Sequence, residues 1–109
     1  MINAAIDIGT NTMLLLVAEV EPNSAGNKLQ EIRTVLEDHI QFVRLGQGVN
    51  QNRRFLPEAE ERSLKCFREF KVICDKNNVD NVFAIATSAS RDAQNAVEFY
   101  KRAIERFCL

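Results

Sequence analysis

An α/β fold with the element order β-β-β-α-β-α follows from three features of the sequence. Short apolar and β-branched runs crowd the chain up to Val43, two later segments repeat at helical period, and the continuous apolar run Val82 to Ala86 lies between those two.

Ala4 to Ile8 reads as a buried strand ending at Gly9, and Met13 to Val20 as a second strand after only a few polar residues. So short a connection forces the pair antiparallel, because parallel neighbours need a crossover of about a dozen residues or more. The turn-forming cluster Glu21 to Asn27 then precedes Lys28 to Val43, whose β-branched Ile32, Thr34, Val35, Ile40 and Val43 predict a long third strand. The first half is therefore expected to be an antiparallel three-stranded meander.

Pro57 followed by Glu58, Glu60 and Glu61 is a proline-first, acid-rich opening suited to the positive end of a helix. Behind it Ala59, Ser63, Cys66, Phe70, Ile73 and Cys74 form one core-facing stripe at a 3.6-residue period, and Asn77, Asn78 and Asp80 end the helix. Val82 to Ala86 is then expected as a parallel addition to the sheet, buried on both faces. In the last segment Ala93, Ala96, Val97, Tyr100, Ala103, Ile104 and Phe107 fall on the inner side, with Glu98, Lys101, Arg102, Glu105 and Arg106 outside. Asn95 and Glu98 have the form of a capping pair, which leaves a continuous helix or one restarted near Asn95. The sheet logic calls for another strand after Leu109, so residues 1–109 are expected to be the N-terminal portion of one domain, with no second domain.

A net charge of −1 over 109 residues gives no basic surplus for a broad nucleic-acid surface, though a single anion needs only a local site. The longest apolar stretch, Met13 to Ala18, is far below the roughly 20 residues that span a bilayer. Asp7 interrupts the opening apolar run and no Lys or Arg precedes it, unlike a signal peptide, which predicts a cytoplasmic protein without a membrane partner. Cys66, Cys74 and Cys108 are too widely spaced for a zinc set and read as reduced thiols, mostly in the core. His39, the single histidine, reads as a half-exposed strand residue.

Three stretches carry chemistry. In Asp7-Ile8-Gly9-Thr10-Asn11-Thr12 the glycine permits an unusual backbone angle, and successive amides, the Thr10 and Thr12 hydroxyls and the Asn11 amide can converge on an anion. Asp7 at the strand end could hold a cation, usually through water for magnesium. The plain alternative is a hairpin turn capping its own backbone. Thr87-Ser88-Ala89-Ser90-Arg91-Asp92 follows the apolar strand and opens a helix, where backbone donors, the helix dipole and the Arg91 fork favour phosphate. Its alternative is a Ser-capped helix with a solvated arginine. Two hydroxyl-rich loops at strand ends of one sheet favour the anion reading. Arg44-Leu45-Gly46-Gln47-Gly48-Val49 pairs two glycines with a cation but reads more simply as a flexible turn. It is not a dinucleotide fingerprint, since it lacks a third glycine and no helix is expected directly behind it.

These stretches, taken as Ala5 to Thr12, Val43 to Val49 and Ala86 to Asn95, resemble in order and spacing the exopolyphosphatase and guanosine pentaphosphate phosphohydrolase family. The resemblance implies the N-terminal part of an actin-like, ribonuclease H-like ATPase domain and hydrolysis of terminal phosphate from polyphosphate or guanosine pentaphosphate. It also implies a magnesium or other divalent cofactor and a homodimeric parent. By the same resemblance Gly9, Thr10, Asn11 and Thr12 look like the first phosphate loop, Asp7 like the metal-facing acid, and Ser88 and Arg91 like a second anion contact. Arg44 is a further, less secure candidate. The family's general-base glutamate would fall beyond Leu109, so catalysis by these residues alone is not expected. An ATP-dependent sugar kinase-like protein of the same fold, or a non-catalytic sensor of phosphate compounds, are the competing classes.

Overall fold

The expected meander forms from Ile2–Ile8 (β1), Thr12–Pro22 (β2) and Gln30–Phe42 (β3) in the computed structural model, which describes residues 1–22, 30–86 and 93–107. β1 pairs antiparallel with β2 from Ile2 opposite Glu19 to Ile8 opposite Met13, and β2 pairs antiparallel with β3. Register shifts between Val17 and Ala18 and between Glu19 and Val20 interrupt the second pairing. A short helix, Val49–Asn52 (α1), and a long one, Pro57–Lys76 (α2), lead to Asn81–Ala86 (β4) and then Ala96–Phe107 (α3). β4 joins β1 in parallel, giving the sheet order β3-β2-β1-β4. Asp80 sets that register: its N–H donates to the Ile2 carbonyl at 2.7 Å while its Oδ2 accepts from the Ile2 N–H at 2.9 Å.

Strand alternation sends Ala4, Ile6 and Ile8 of β1 and Met13, Leu15 and Val17 of β2 to one buried face. The predicted α2 stripe covers it, with Ala59, Ser63, Cys66, Phe70 and Cys74 buried and Ile73 partly so; Leu64 and Phe67 widen the stripe. Burying a side chain of Phe70's size contributes about 2–3 kcal/mol. The Ser63 hydroxyl is satisfied by donating to the Ala59 carbonyl at 2.9 Å. An aromatic cluster joins the pieces: the Phe55 ring meets Phe99 edge-on at 5.5 Å and Tyr100 at 6.1 Å, and Phe67 lies 6.4 Å from Phe99.

Four expectations need correction. β4 is not buried on both faces: Phe83 is 57% and Ile85 69% exposed, because no described element covers the side of the sheet away from α2. α3 begins at Ala96, the restart near Asn95 that the sequence left open, but its phase differs from the expected one: Phe99 is fully buried while Val97 points outward at 83% exposure. The apolar positions of this helix admit two phases, and the aromatic cluster selects the one through Phe99. Asn95 stands just before α3, but its side-chain amide is engaged with Phe55 instead of a cap. Finally, a helical turn, α1, does open directly behind Gly48.

Candidate functional site

The first candidate loop is the β1–β2 turn. The Gly9 N–H donates to the Thr12 carbonyl at 2.9 Å, and a Cβ at Gly9 would lie 2.9 Å from that same oxygen. Glycine is needed here for room, since the turn closes on itself at the one point where a side chain would intrude.

The second motif is no independent flexible turn. The Arg44 N–H donates to the Asn11 carbonyl at 3.0 Å and the Gly46 N–H to the Thr10 carbonyl at 2.9 Å, so backbone hydrogen bonds tie Thr10–Asn11 to residues 44–46. Arg44 adopts a left-handed backbone with φ 52°, which costs a non-glycine residue about 1–2 kcal/mol and is held by these bonds. The Gln47 N–H closes onto the Arg44 carbonyl and the Val49 N–H onto that of Gly46. Gly48 has a left-handed backbone with φ 77°, which favours glycine, and an added Cβ would also push the Leu56 side chain aside, since it would sit 2.9 Å from Leu56 Cδ1. The Arg44 side chain is exposed and makes no ion pair among the described residues.

Two side chains brace this assembly: Arg62, which the sequence does not single out, and Asn95, which it presents as a helix cap. From α2, Arg62 Nε donates to the Val43 carbonyl at 2.8 Å and its Nη2 reaches Gln47 Oε1 at 2.6 Å and the Arg44 carbonyl at 3.4 Å. Ahead of α3, Asn95 grips one residue on both sides: Oδ1 accepts from the Phe55 N–H at 2.8 Å and Nδ2 donates to the Phe55 carbonyl at 3.2 Å. The Gln94 N–H adds a bond to the Arg53 carbonyl at 2.7 Å. The end of the third motif is thus fastened to the segment behind the second. For Arg62, the available sequence signal was a cation in an acid-rich helix opening, off the apolar stripe.

β1 and β4 are parallel with Ile8 opposite Ala86, so the first and third motifs leave the sheet at the same end. Ser88 and Arg91 lie outside the described residues.

Asp7 is exposed on the uncovered face of the sheet, opposite Leu14 and Ile85 in register. Asp38 lines the same shallow hollow from β3. β2 lies between their strands, and Asp38 stands opposite Leu16 rather than Leu14, so their backbones are at least about 10 Å apart by strand spacing and the two do not form a close pair. No group of three His, Cys, Asp or Glu among the described residues could hold a metal. A single carboxylate suits magnesium, which keeps several waters and takes other ligands from phosphate, and does not suit zinc.

Elsewhere, ionisable groups behave structurally. Hydrogen bonds from His39 and then Asn77 hold the Glu37 carboxyl below its ordinary range, and His39 itself is a half-exposed residue of β3, as expected. Burial pushes the Cys66 thiol up to about 12 and raises that of Cys74, so both free cysteines are inert core thiols. Cys108 lies outside the described residues. No helix among the described residues is long and apolar enough to cross a membrane.

Residues 19–109 match the sequence profile of the Ppx/GppA phosphatase family. The chain is 38% identical over 106 residues to a bifunctional 3-dehydroquinate synthase/phosphatase of Fusobacterium nucleatum, covering 95% of this chain and 16% of that protein. It is 36% identical over 97 residues to exopolyphosphatase 2 of Mycobacterium tuberculosis, covering 89% of this chain and 29% of the relative. Among solved structures, a Ppx/GppA family member from Aquifex aeolicus superposes with a TM-score of 0.86 at 28% identity, covering 100% of this chain and 33% of that one. An exopolyphosphatase from Cytophaga hutchinsonii gives 0.82 at 28% identity, covering 98% and 32%. The chain therefore spans a third or less of these relatives, and its sheet and helices correspond to part of an actin-like domain.

Proposed function

Because this chain belongs to the Ppx/GppA phosphatase family, we propose that it supplies the first phosphate-binding half of a phosphoanhydride hydrolase acting on inorganic polyphosphate or guanosine pentaphosphate. The observation that carries this reading is the joining of residues 9–12 to residues 44–46 by backbone hydrogen bonds at the end of the sheet from which the third motif also leaves.

In this role Gly9 lets the turn close tightly, and Thr10, Asn11 and Thr12 present hydroxyl and amide groups to a phosphate's oxygens. Arg44, fixed in its left-handed conformation beside Asn11, adds a cation at the rim; Ser88 and Arg91 contribute from the neighbouring loop. Asp7 would hold magnesium, directly or through water, and the ion would neutralise charge on the phosphate oxygens. Such preorganised donors stabilise charge without reorganising during reaction. In this reading these residues position the phosphate, and the general base that activates water is a carboxylate outside the set.

The test is magnesium-dependent phosphate release from polyphosphate and guanosine pentaphosphate, offered separately to this chain and to a chain extended to the length of its relatives. We expect release only from the longer protein, with Arg91→Ala weakening its polyphosphate affinity. Turnover by residues 1–109 alone would refute the division of labour. Silence from both, or undiminished affinity in Arg91→Ala, would favour a non-catalytic sensor.

A further inference from the structure

We propose that Arg62 is a positioning residue for phosphate binding: its guanidinium clamps the Val43–Gln47 segment so that Arg44 and the Thr10–Asn11 turn are held as one unit. The inference rests on the phosphate-binding reading of those loops, which assigns Arg62 no role.

The geometry points to a clamp and not to a ligand contact. Nε reaches the Val43 carbonyl and Nη2 reaches Gln47 Oε1, with the Arg44 carbonyl at the longer distance of 3.4 Å. Three acceptors within five consecutive residues therefore converge on one side chain from another element. That segment contains the left-handed Arg44, and its far side donates from Arg44 and Gly46 to the carbonyls of Asn11 and Thr10. The order of contacts runs from α2 through Arg62 to residues 43–47 and from there to the β1–β2 turn. A planar fork with several fixed donors can satisfy this arrangement, whereas a lysine, with one ammonium at the end of a flexible stem, cannot span both Val43 and Gln47. Arg62 is also anchored in the first two turns of a helix whose opposite face is core, so it moves with the body of the domain and not with the loop.

A clamp and a general structural contribution make different predictions. In this chain, Arg62→Lys is expected to weaken magnesium-tripolyphosphate binding by about tenfold, the scale of one lost hydrogen bond to a charged group. In an Arg44→Ala background the same substitution should cost less, because one of the two groups it positions is gone while the Thr10–Asn11 turn stays tied to the clamped backbone. Amide hydrogen exchange supplies a second reading that needs no ligand: Arg62→Lys should speed exchange at the Arg44 and Gly46 N–H groups while amides within α2 keep their protection. Equal affinity losses in both backgrounds, or unchanged exchange at Arg44 and Gly46, would overturn the clamp. If the unmodified chain binds no tripolyphosphate, the phosphate-binding reading falls, and the exchange comparison still decides whether Arg62 holds the segment.

Discussion

The two faces of one sheet differ sharply. Against α2, Ile6, Met13, Leu15 and Val17 are buried to 1% exposure or less, while on the other side Leu14, Phe83 and Ile85 remain open. The strands are the same; only what packs on them differs. Stability is therefore concentrated on the α2 face, and the loops at the strand ends inherit their geometry from it through Arg62 and Asn95. Substitutions that unfold the chain should be separable from those that disturb the site.

The largest effect is expected at Phe70, which lies fully buried under the sheet. Phe70→Ala should cost about 3–5 kcal/mol in urea unfolding, enough to leave much of a marginal domain unfolded. Next comes Asn95→Ala, which strands both the N–H and the carbonyl of Phe55. A loss of about 1–3 kcal/mol is expected, with faster amide exchange at Phe55 as its local signature.

A pH-dependent test of the same buried face follows from Cys66. Its thiol is raised from 9.0 to about 12 by burial, so the folded state keeps the proton where the unfolded chain gives it up. That contribution is fully present below the unfolded value and is lost as pH rises toward about 12. Thermal melts should therefore show an alkaline decline that Cys66→Ala flattens, even though the variant starts less stable. The smallest effect belongs to the open face: Ile85→Thr should change unfolding free energy by less than about 0.5 kcal/mol, and a larger loss would mean that this face is covered in the molecule.

The sequence made some of this legible for plain reasons. α2 was readable because a 20-residue helix repeats its stripe often enough to fix its phase, and the meander because short connections leave antiparallel pairing as the only choice. β4 was placed correctly but its burial was not, since an apolar run records what a strand can bury and not whether anything covers it. α3 was mis-phased at Val97 and Phe99 because its small apolar residues fit two faces and only contact with Phe55 and Phe67 chooses between them. The site shows the same divide. Gly9 and its neighbours announced themselves as a motif, whereas the bonds from Arg44 and Gly46 to Asn11 and Thr10 join backbone atoms far apart in sequence and leave no side-chain signature. α1 is four residues long and owes its helical turn to Gly48 and to that same packing, so no periodicity could have revealed it.

The most direct test of the central claim is to titrate this chain with magnesium tripolyphosphate while following its backbone amide resonances. The joined loops predict saturable shifts at residues 9–12 and 44–46 together, reporting one dissociation constant, and Gly9→Val should abolish them at both places. Shifts confined to one loop, or dispersed over the basic residues of the surface with no saturation, would contradict the account.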